Sequence, residues 1–288
     1  MVRKNKTYNC YKKYILICAH AKYPNIRKRK YSLEYYLDNF TLMLSDVVSW
    51  ESLKYINDIN KDNKYHWKSI YNEYNKWSKD NIFEDAYFKF IKENYFKMSR
   101  VRKNKKINMF IDVTKISNVS GRENIGINAE YKKKNVTALS AICDDNKIPL
   151  GITPMDTNLS KTKTGKHTIK HDVKGVQKTL DTIPFKLKEY VSVKLIGDKG
   201  YVTNKEFKVF GKKIKMIYPK RKNQKKKNTK KEKNILSKRH KIENFFASLK
   251  KYNRIVLRRD HKINNYMSFT YMGVMDHLSS NLLKMKEK

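Results

Sequence analysis

The hydrophobic positions of this chain change period once, near residue 108. Before that point Leu33, Tyr36, Leu37, Phe40, Leu44 and Val47 recur three and four apart, the spacing that lines one face of a helix. Ile70, Tyr71, Tyr74 and Trp77 repeat the pattern, as do Phe83, Ala86, Tyr87, Phe90 and Ile91, with residues 78–81 as the turn between them. So regular an aromatic stripe reads as the core of packed helices rather than a surface for stacking bases.

From Met109 the apolar runs shorten. Residues 109–113 form one such run, with Asp112 inside it. Residues 136–143 form a second, rich in β-branched and small side chains. Asp144-Asp145-Asn146 then reads as a turn with solvated acids, and residues 148–152 return as a hairpin or meander. Residues 172–180 read as a helix. Val191, Val193 and Leu195 alternate into Gly197-Asp198 as a strand. Residues 205–210 read as a helix, 214–218 as a strand, and 235–252 and 266–285 as two long helices. Strands followed by interleaved helices predict an α/β core from about residue 101 onward. The expected organisation is a basic arm over 1–30, a helical region over 31–100, and an α/β domain over 101–288 with a basic loop at 219–234.

Composition adds a partner to this outline. The 288 residues are 39% hydrophobic, enough for a core despite 32% charged residues. Lys and Arg number 66 against 27 Asp and Glu, a net charge of +39. Such an excess exceeds any need of solubility and points to a polyanion, most simply double-stranded DNA. The charge is uneven: residues 1–30 carry +10, residues 31–97 carry −2, and residues 98–288 carry +31. Residues 219–233 hold Lys220, Arg221, Lys222, Lys225, Lys226, Lys227, Lys230, Lys231 and Lys233, opposed by Glu232 alone. Without periodic apolar residues this run reads as a mobile loop that binds phosphates or serves as a nuclear import signal, a solvated linker being the plain alternative.

Other classes are excluded or disfavoured. Three scattered cysteines, Cys10, Cys18 and Cys143, make no disulfide framework and fit a reduced, intracellular protein that works where DNA is. No run of 18 apolar residues exists. The apolar stretch 14–21 is broken by His20 and followed by Lys22, against a signal peptide. Cys10, Cys18 and His20 lack zinc-finger spacing. His167 and His171 would share a helical face, but Gly165 opposes a helix there. No glycine-rich phosphate loop is present, against an ATP-driven mechanism.

Three carboxylates stand where phosphodiester chemistry needs them. Asp112 ends one apolar, strand-like segment and Asp198 follows another; a buried strand rarely ends in a charge without reason, and two such strand-end acids could face each other across adjacent strands. If residues 235–252 are one helix, about 100° per residue puts Arg239, Glu243 and Lys250 on one polar stripe. Ile242, Phe245, Phe246 and Leu249 lie beside it, so the helix can dock its apolar side and still project Glu243 toward the two Asp. An ordinary surface ion pair is the alternative for an acid between two bases.

These motifs together resemble the insertion-sequence transposases of the DDE class, in the branch with a ribonuclease H-like catalytic core. That family's late signature is Tyr, two residues, Arg, three residues, Glu, six residues, Lys. Here those positions are Leu236, Arg239, Glu243 and Lys250, with Leu236 departing from the Tyr. Asp198-Lys199-Gly200-Tyr201 is similar to its second-Asp motif and Asp112-Val113-Thr114 to its first. Ile148-Pro149-Leu150-Gly151 and His171-Asp172 look like its Pro-Leu strand and its His-Asp pair. The resemblance covers roughly residues 30–280. It implies a mixed central sheet flanked by helices after an α-helical N-terminal region. It implies metal-dependent cleavage of DNA and strand transfer during movement of an insertion element. Asp112, Asp198 and Glu243 would hold two Mg²⁺ ions, Mn²⁺ substituting, with Asp112 bridging them. Arg239, Lys250, Lys199 and Tyr201 would contact DNA. Pairing of two DNA ends makes a homodimer plausible. The alternatives on the same core are a nuclease that does not join, or an inactive DNA-binding descendant.

Each phosphate neutralised by the lysine run steepens the salt dependence of DNA binding by about 0.9 in log–log slope. Deleting residues 220–233 is expected to flatten that slope, measured by titration at several salt concentrations. An unchanged slope would leave the run as a linker.

Overall fold

A computed structural model describes residues 6–24, 31–45, 49–59, 66–99, 106–128, 134–161, 167–169, 172–184, 192–203, 205–209, 211–221 and 227–286. The chain divides into two compact units. One holds residues 1–90, 120–122 and 249–288, the other 91–119 and 123–248.

The first unit is helical: α1 (Lys6–Lys22), α2 (Leu33–Ser45), α3 (Leu53–Ile59), α4 (Trp67–Lys79) and α5 (Ile82–Met98), which continues past residue 90. The periodic positions are its core, with Phe40, Tyr74, Trp77, Phe83, Tyr87 and Phe90 fully buried. The rings of Phe40 and Trp77 meet edge to face at 5.3 Å, a favourable aromatic geometry. Asn81, at φ +58°, turns the chain between α4 and α5 where a turn was expected. The N-terminal region is more than a basic arm. Residues 6–22 are helical and bury Tyr8, Tyr11, Tyr14, Ile15 and Ala19, so an apolar stripe coexists with the positive charge.

The second unit is built on a mixed sheet: β1 (Lys106–Asn118), β2 (Gly126–Asn128), β3 (Lys134–Cys143), β4 (Pro149–Pro154), β5 (Thr157–Lys161), β6 (His167–Ile169), β7 (Ser192–Ile196), β8 (Glu206–Val209) and β9 (Lys212–Ile217). Strand β3 pairs antiparallel with β1 and with β4, the predicted meander. On the other side of β1, β7 and then β9 run parallel to it. The helix α6 (Asp172–Asp181) packs against β3, β4 and β8 through Val176, Thr179 and Leu180. His167 lies in a strand rather than a helix, and His171 lies outside the described residues.

Three expectations are corrected here. Residues 206–209 form a strand instead of the helix expected over 205–210, residue 210 lying outside the described residues: Phe207 and Val209 point inward and Glu206 and Lys208 outward, and β8 pairs with β9, which follows Gly211 at φ +84°. The basic run is not all loop. Residues 222–226 lie outside the described residues, but α7 (Lys230–Leu236) follows, started by a capping box between Thr229 and Glu232. The one acid of the run is thus its helix starter. Residues 235–252 are not a single helix. After α7 comes a 3-10 turn at Ser237–Arg239, then α8 (His240–Leu249) and α9 (Asn253–Val256). The apolar stripe begins only at Ile242; α7 buries nothing, so no packing holds the segments in one line. The last helix, α10 (Ile263–Lys286), belongs to the helical unit, where the Tyr74 hydroxyl donates to the Asn265 carbonyl at 2.6 Å. Among the described residues no helix is long and apolar enough to cross a membrane.

The β3–β4 turn holds a fourth correction. Asp144 is fully buried rather than solvated. One of its oxygens accepts from the Asn146 and Ile148 N–H groups at 2.8 and 3.0 Å, the other from the Tyr95 hydroxyl at 3.1 Å. Burial raises its pKa against these hydrogen bonds. Asp144→Ala would remove the acceptor of four hydrogen bonds, the Asn146 side chain giving the fourth at 3.3 Å, and is expected to cost about 3 kcal/mol of stability by denaturant titration. A loss below about 1 kcal/mol would show that solvent reaches the turn.

Candidate active site

The register between two parallel strands positions the first two carboxylates. Phe110 of β1 lies opposite Ile196 of β7. Asp112 is two residues beyond Phe110 and Asp198 two beyond Ile196, so both follow the last pair of the parallel ladder; β7 has ended there, but β1 runs on to Asn118 paired with β3, so Asp112 lies within its strand rather than at its end as expected. Asp112 accepts from the Val113 N–H at 2.9 Å. Asp198 ends its strand as the cap of a 3-10 turn, Lys199–Tyr201, accepting from the Gly200 N–H at 2.6 Å.

The glycines beside Asp198 are needed for close approach. A Cβ on Gly197 would meet the Tyr201 ring and the Met216 sulfur at 2.9 Å. A Cβ on Gly200 would lie 2.9 Å from Asp198 Oδ1 and 3.5 Å from Asp172 Oδ2. Asp172, the first residue of α6, is therefore a neighbour of Asp198. Its motif is visible in the sequence, but nothing there says which way the residue faces.

Arg239 reaches the same place. Its Nη2 lies 3.8 Å from Asp112 Oδ2, an ion pair between side chains that are each about four-fifths buried. Its Nε is buried without a hydrogen-bond partner. The 3-10 turn sets Arg239 apart from the regular helical phase of Glu243, and this changes the predicted polar stripe: Arg239 turns to Asp112, while Glu243, in the first turn of α8, is exposed. Among the described residues no three His, Cys, Asp or Glu side chains are gathered closely enough to hold one metal ion. As donors, Asp112 and Asp198 offer the hard carboxylate oxygens that Mg²⁺ prefers.

A second anchor fixes α8. The Lys241 ammonium donates to the Asp145 carbonyl and lies 3.3 Å from its carboxylate. The other oxygen of that carboxylate accepts from the Asn108 backbone N–H at 3.3 Å and the Asn108 side chain at 2.8 Å. No spacing in the sequence links residues 96 apart, so this contact had no local signal.

The predicted DNA-contacting residues divide. Lys199, Arg221 and Lys227 are exposed, and Lys220 is half-buried with its ammonium over the Tyr218 ring at 4.4 Å. Lys222, Lys225 and Lys226 lie outside the described residues. Lys250 is exposed and belongs to the helical unit. Tyr201 departs from expectation: it is completely buried under Gly197, so its ring is not offered to a DNA strand.

Burial pushes the Asp112 pKa up to about 6; the Val113 N–H and Arg239 oppose the rise, while Asp198 and Asp172 add to it. An unfolded Asp ionises near pH 3.9. Between those values the folded chain holds the proton that the unfolded chain has lost, so stability falls as pH rises through that window. Asp112→Asn removes this cost. In chelator, the variant is expected to be more stable than the wild type at neutral pH by on the order of 2 kcal/mol, the gain vanishing near pH 4. Denaturant titrations at several pH values check this; a variant that is less stable at neutral pH would contradict it.

Residues 169–263, about a third of the chain, match the family model described as a transposase DDE domain. The matched segment contains Asp172, Asp198, Arg239, Glu243 and Lys250, and Asp112 lies before it. No curated protein and no solved structure matches the chain. The match supports a transposase-type domain that acts on DNA.

Proposed function

We propose that this chain is a DDE transposase that cleaves DNA at the ends of an insertion element and joins them to a target. The observation that carries this is the placement of Asp112 and Asp198 each two residues past the last pair, Phe110 and Ile196, of the parallel ladder between β1 and β7. The match over residues 169–263, a range that includes Glu243, supports this reading, with Glu243 taken as the third acid, and a mixed sheet with α6 packed on it supports a ribonuclease H-like core.

Asp112, Asp198 and Glu243 are the residues that would hold divalent ions, Mg²⁺ or Mn²⁺. When bound, such ions supply charge to the scissile phosphate and acidify an attacking water or 3′-hydroxyl. The chain's own residues do the rest. Asp112 and Asp198 fix where the phosphate is attacked, since their backbones are tied into β1 and the 3-10 turn. Arg239, already beside Asp112, neutralises a non-bridging phosphate oxygen or offsets the negative charge of the pocket. Lys199, Lys250 and the lysines of 220–227 bind neighbouring phosphates and orient the duplex. Leu236, where the signature has Tyr, contributes no hydroxyl.

Asp112→Asn, Asp198→Asn and Glu243→Gln are each expected to lower Mg²⁺-dependent plasmid nicking about a thousandfold while DNA affinity stays within about twofold. Nicking by the triple variant at the wild-type rate would refute the assignment. A labelled 3′-hydroxyl oligonucleotide separates the chemistries: covalent joining to the plasmid marks a transposase, and nicking without joining marks a nuclease.

A further inference from the structure

Three carboxylates and one buried hydroxyl gather just past the paired stretch of β1 and β7, and the proposed reaction uses only two of these four groups. Asp172 Oδ2 and Asp198 Oδ1 both approach Gly200, at 3.5 and 2.9 Å from the point where a methyl group would stand. Tyr201, next in the chain, has no exposed surface, and its hydroxyl has no hydrogen-bond partner. The charges that act most on that hydroxyl are Asp172, Asp112 and Asp198, in that order. Buried hydroxyls are nearly always satisfied, and a phenol beside carboxylates normally donates to one of them. Here the phenol lies within the electrostatic reach of three carboxylates and bonds to none of them.

The cluster is too open for three side chains to grip one ion directly, since no such group of three exists among the described residues. That spacing suits a cation that retains its water. Mg²⁺ gives up water reluctantly and is bound through one or two carboxylates with several waters kept. Those waters are strong donors and need acceptors around them. A carboxylate and a phenol oxygen set back from the ion are such acceptors.

Resting on the assignment of Asp112 and Asp198 to a divalent cation, we propose that Asp172 and Tyr201 are positioning residues that hold the water shell of that cation. Asp172 accepts from metal-bound water at the start of α6, and the Tyr201 oxygen accepts from the floor of the site. Gly197 and Gly200 are required because both groups come within contact of the backbone there.

The test is Mn²⁺ binding to the full chain, with free Mn²⁺ counted by electron paramagnetic resonance. Asp172→Asn and Tyr201→Phe are each expected to weaken Mn²⁺ binding about tenfold, the usual effect of losing a group behind a metal ligand. The Tyr201→Phe protein should also be at least as stable to denaturant as the wild type before Mn²⁺ is added, because the lost hydroxyl has no protein partner. Wild-type Mn²⁺ affinity in both variants, with binding abolished in Asp112→Asn, would overturn the inference and leave the carboxylate pair standing. Absence of Mn²⁺ binding in the wild type, or its persistence in Asp112→Asn, would overturn both. A destabilised Tyr201→Phe protein would show that the hydroxyl is already satisfied and would remove Tyr201 from the shell.

Discussion

Parallel pairing of β1 with β7 is the constraint on which the rest depends. Parallel strands share a direction, so residues equally far beyond a paired position emerge at the same end. That geometry brings together two acids 86 positions apart in the numbering and makes each feel the other's charge. Like charges brought together in a partly dry place are costly unless a cation joins them. Arg239 answers part of that need from the turn before α8. The molecule thus concentrates negative charge at one point of a chain whose overall balance is +39. On the proposed function, a phosphate drawn in by the lysines would meet carboxylate oxygens that could hold it only through an intervening positive ion.

The apolar periods were enough to place most elements. The aromatic repeats of 33–47 and 70–91 and the runs at 109–113, 136–143 and 148–152 became helices and strands because burial on one face dictates spacing. Asp112 and Asp198 were legible for the same reason, as charges at the edges of apolar strand-like runs, although β1 extends past its apolar run to Asn118 because it pairs with β3. Failures came where local pattern and tertiary context disagree. Residues 206–209 are too few to separate period 2 from period 3.6 by count alone, and pairing with β9 decided the outcome. Arg239 was misplaced in phase because the 3-10 turn at 237–239 leaves no mark in hydrophobicity. Asp144 looked like a turn residue, and it is one, but its burial depends on Tyr95 arriving from α5. Asp172 could be seen in its motif but not assigned to the site, since facing Gly200 is a property of the fold.

Charge has two different uses in this chain. Lys199, Arg221 and Lys227 stay at the surface, where their effect is long-ranged and screened by salt. Arg239 and Lys241 are largely withdrawn from water, and their effect is local and directional. Arg239 acts on Asp112, and Lys241 ties α8 to Asp145. Two basic residues separated by a single position look in different directions, as positions two apart do on any helical turn.

The tie between Lys241 and the β3–β4 turn has a consequence for how the family of sequences around this one can vary. Short surface turns usually absorb insertions and deletions freely, because little depends on their length. This one is moored at both ends. Asp144 is held by its own backbone and by Tyr95, and Asp145 is held by Asn108 and by α8. Lengthening it by one residue would shift a cleat to which the helix bearing Glu243 is fastened. Drift in length should therefore be found elsewhere on the surface, with this loop keeping its size even where its sequence changes.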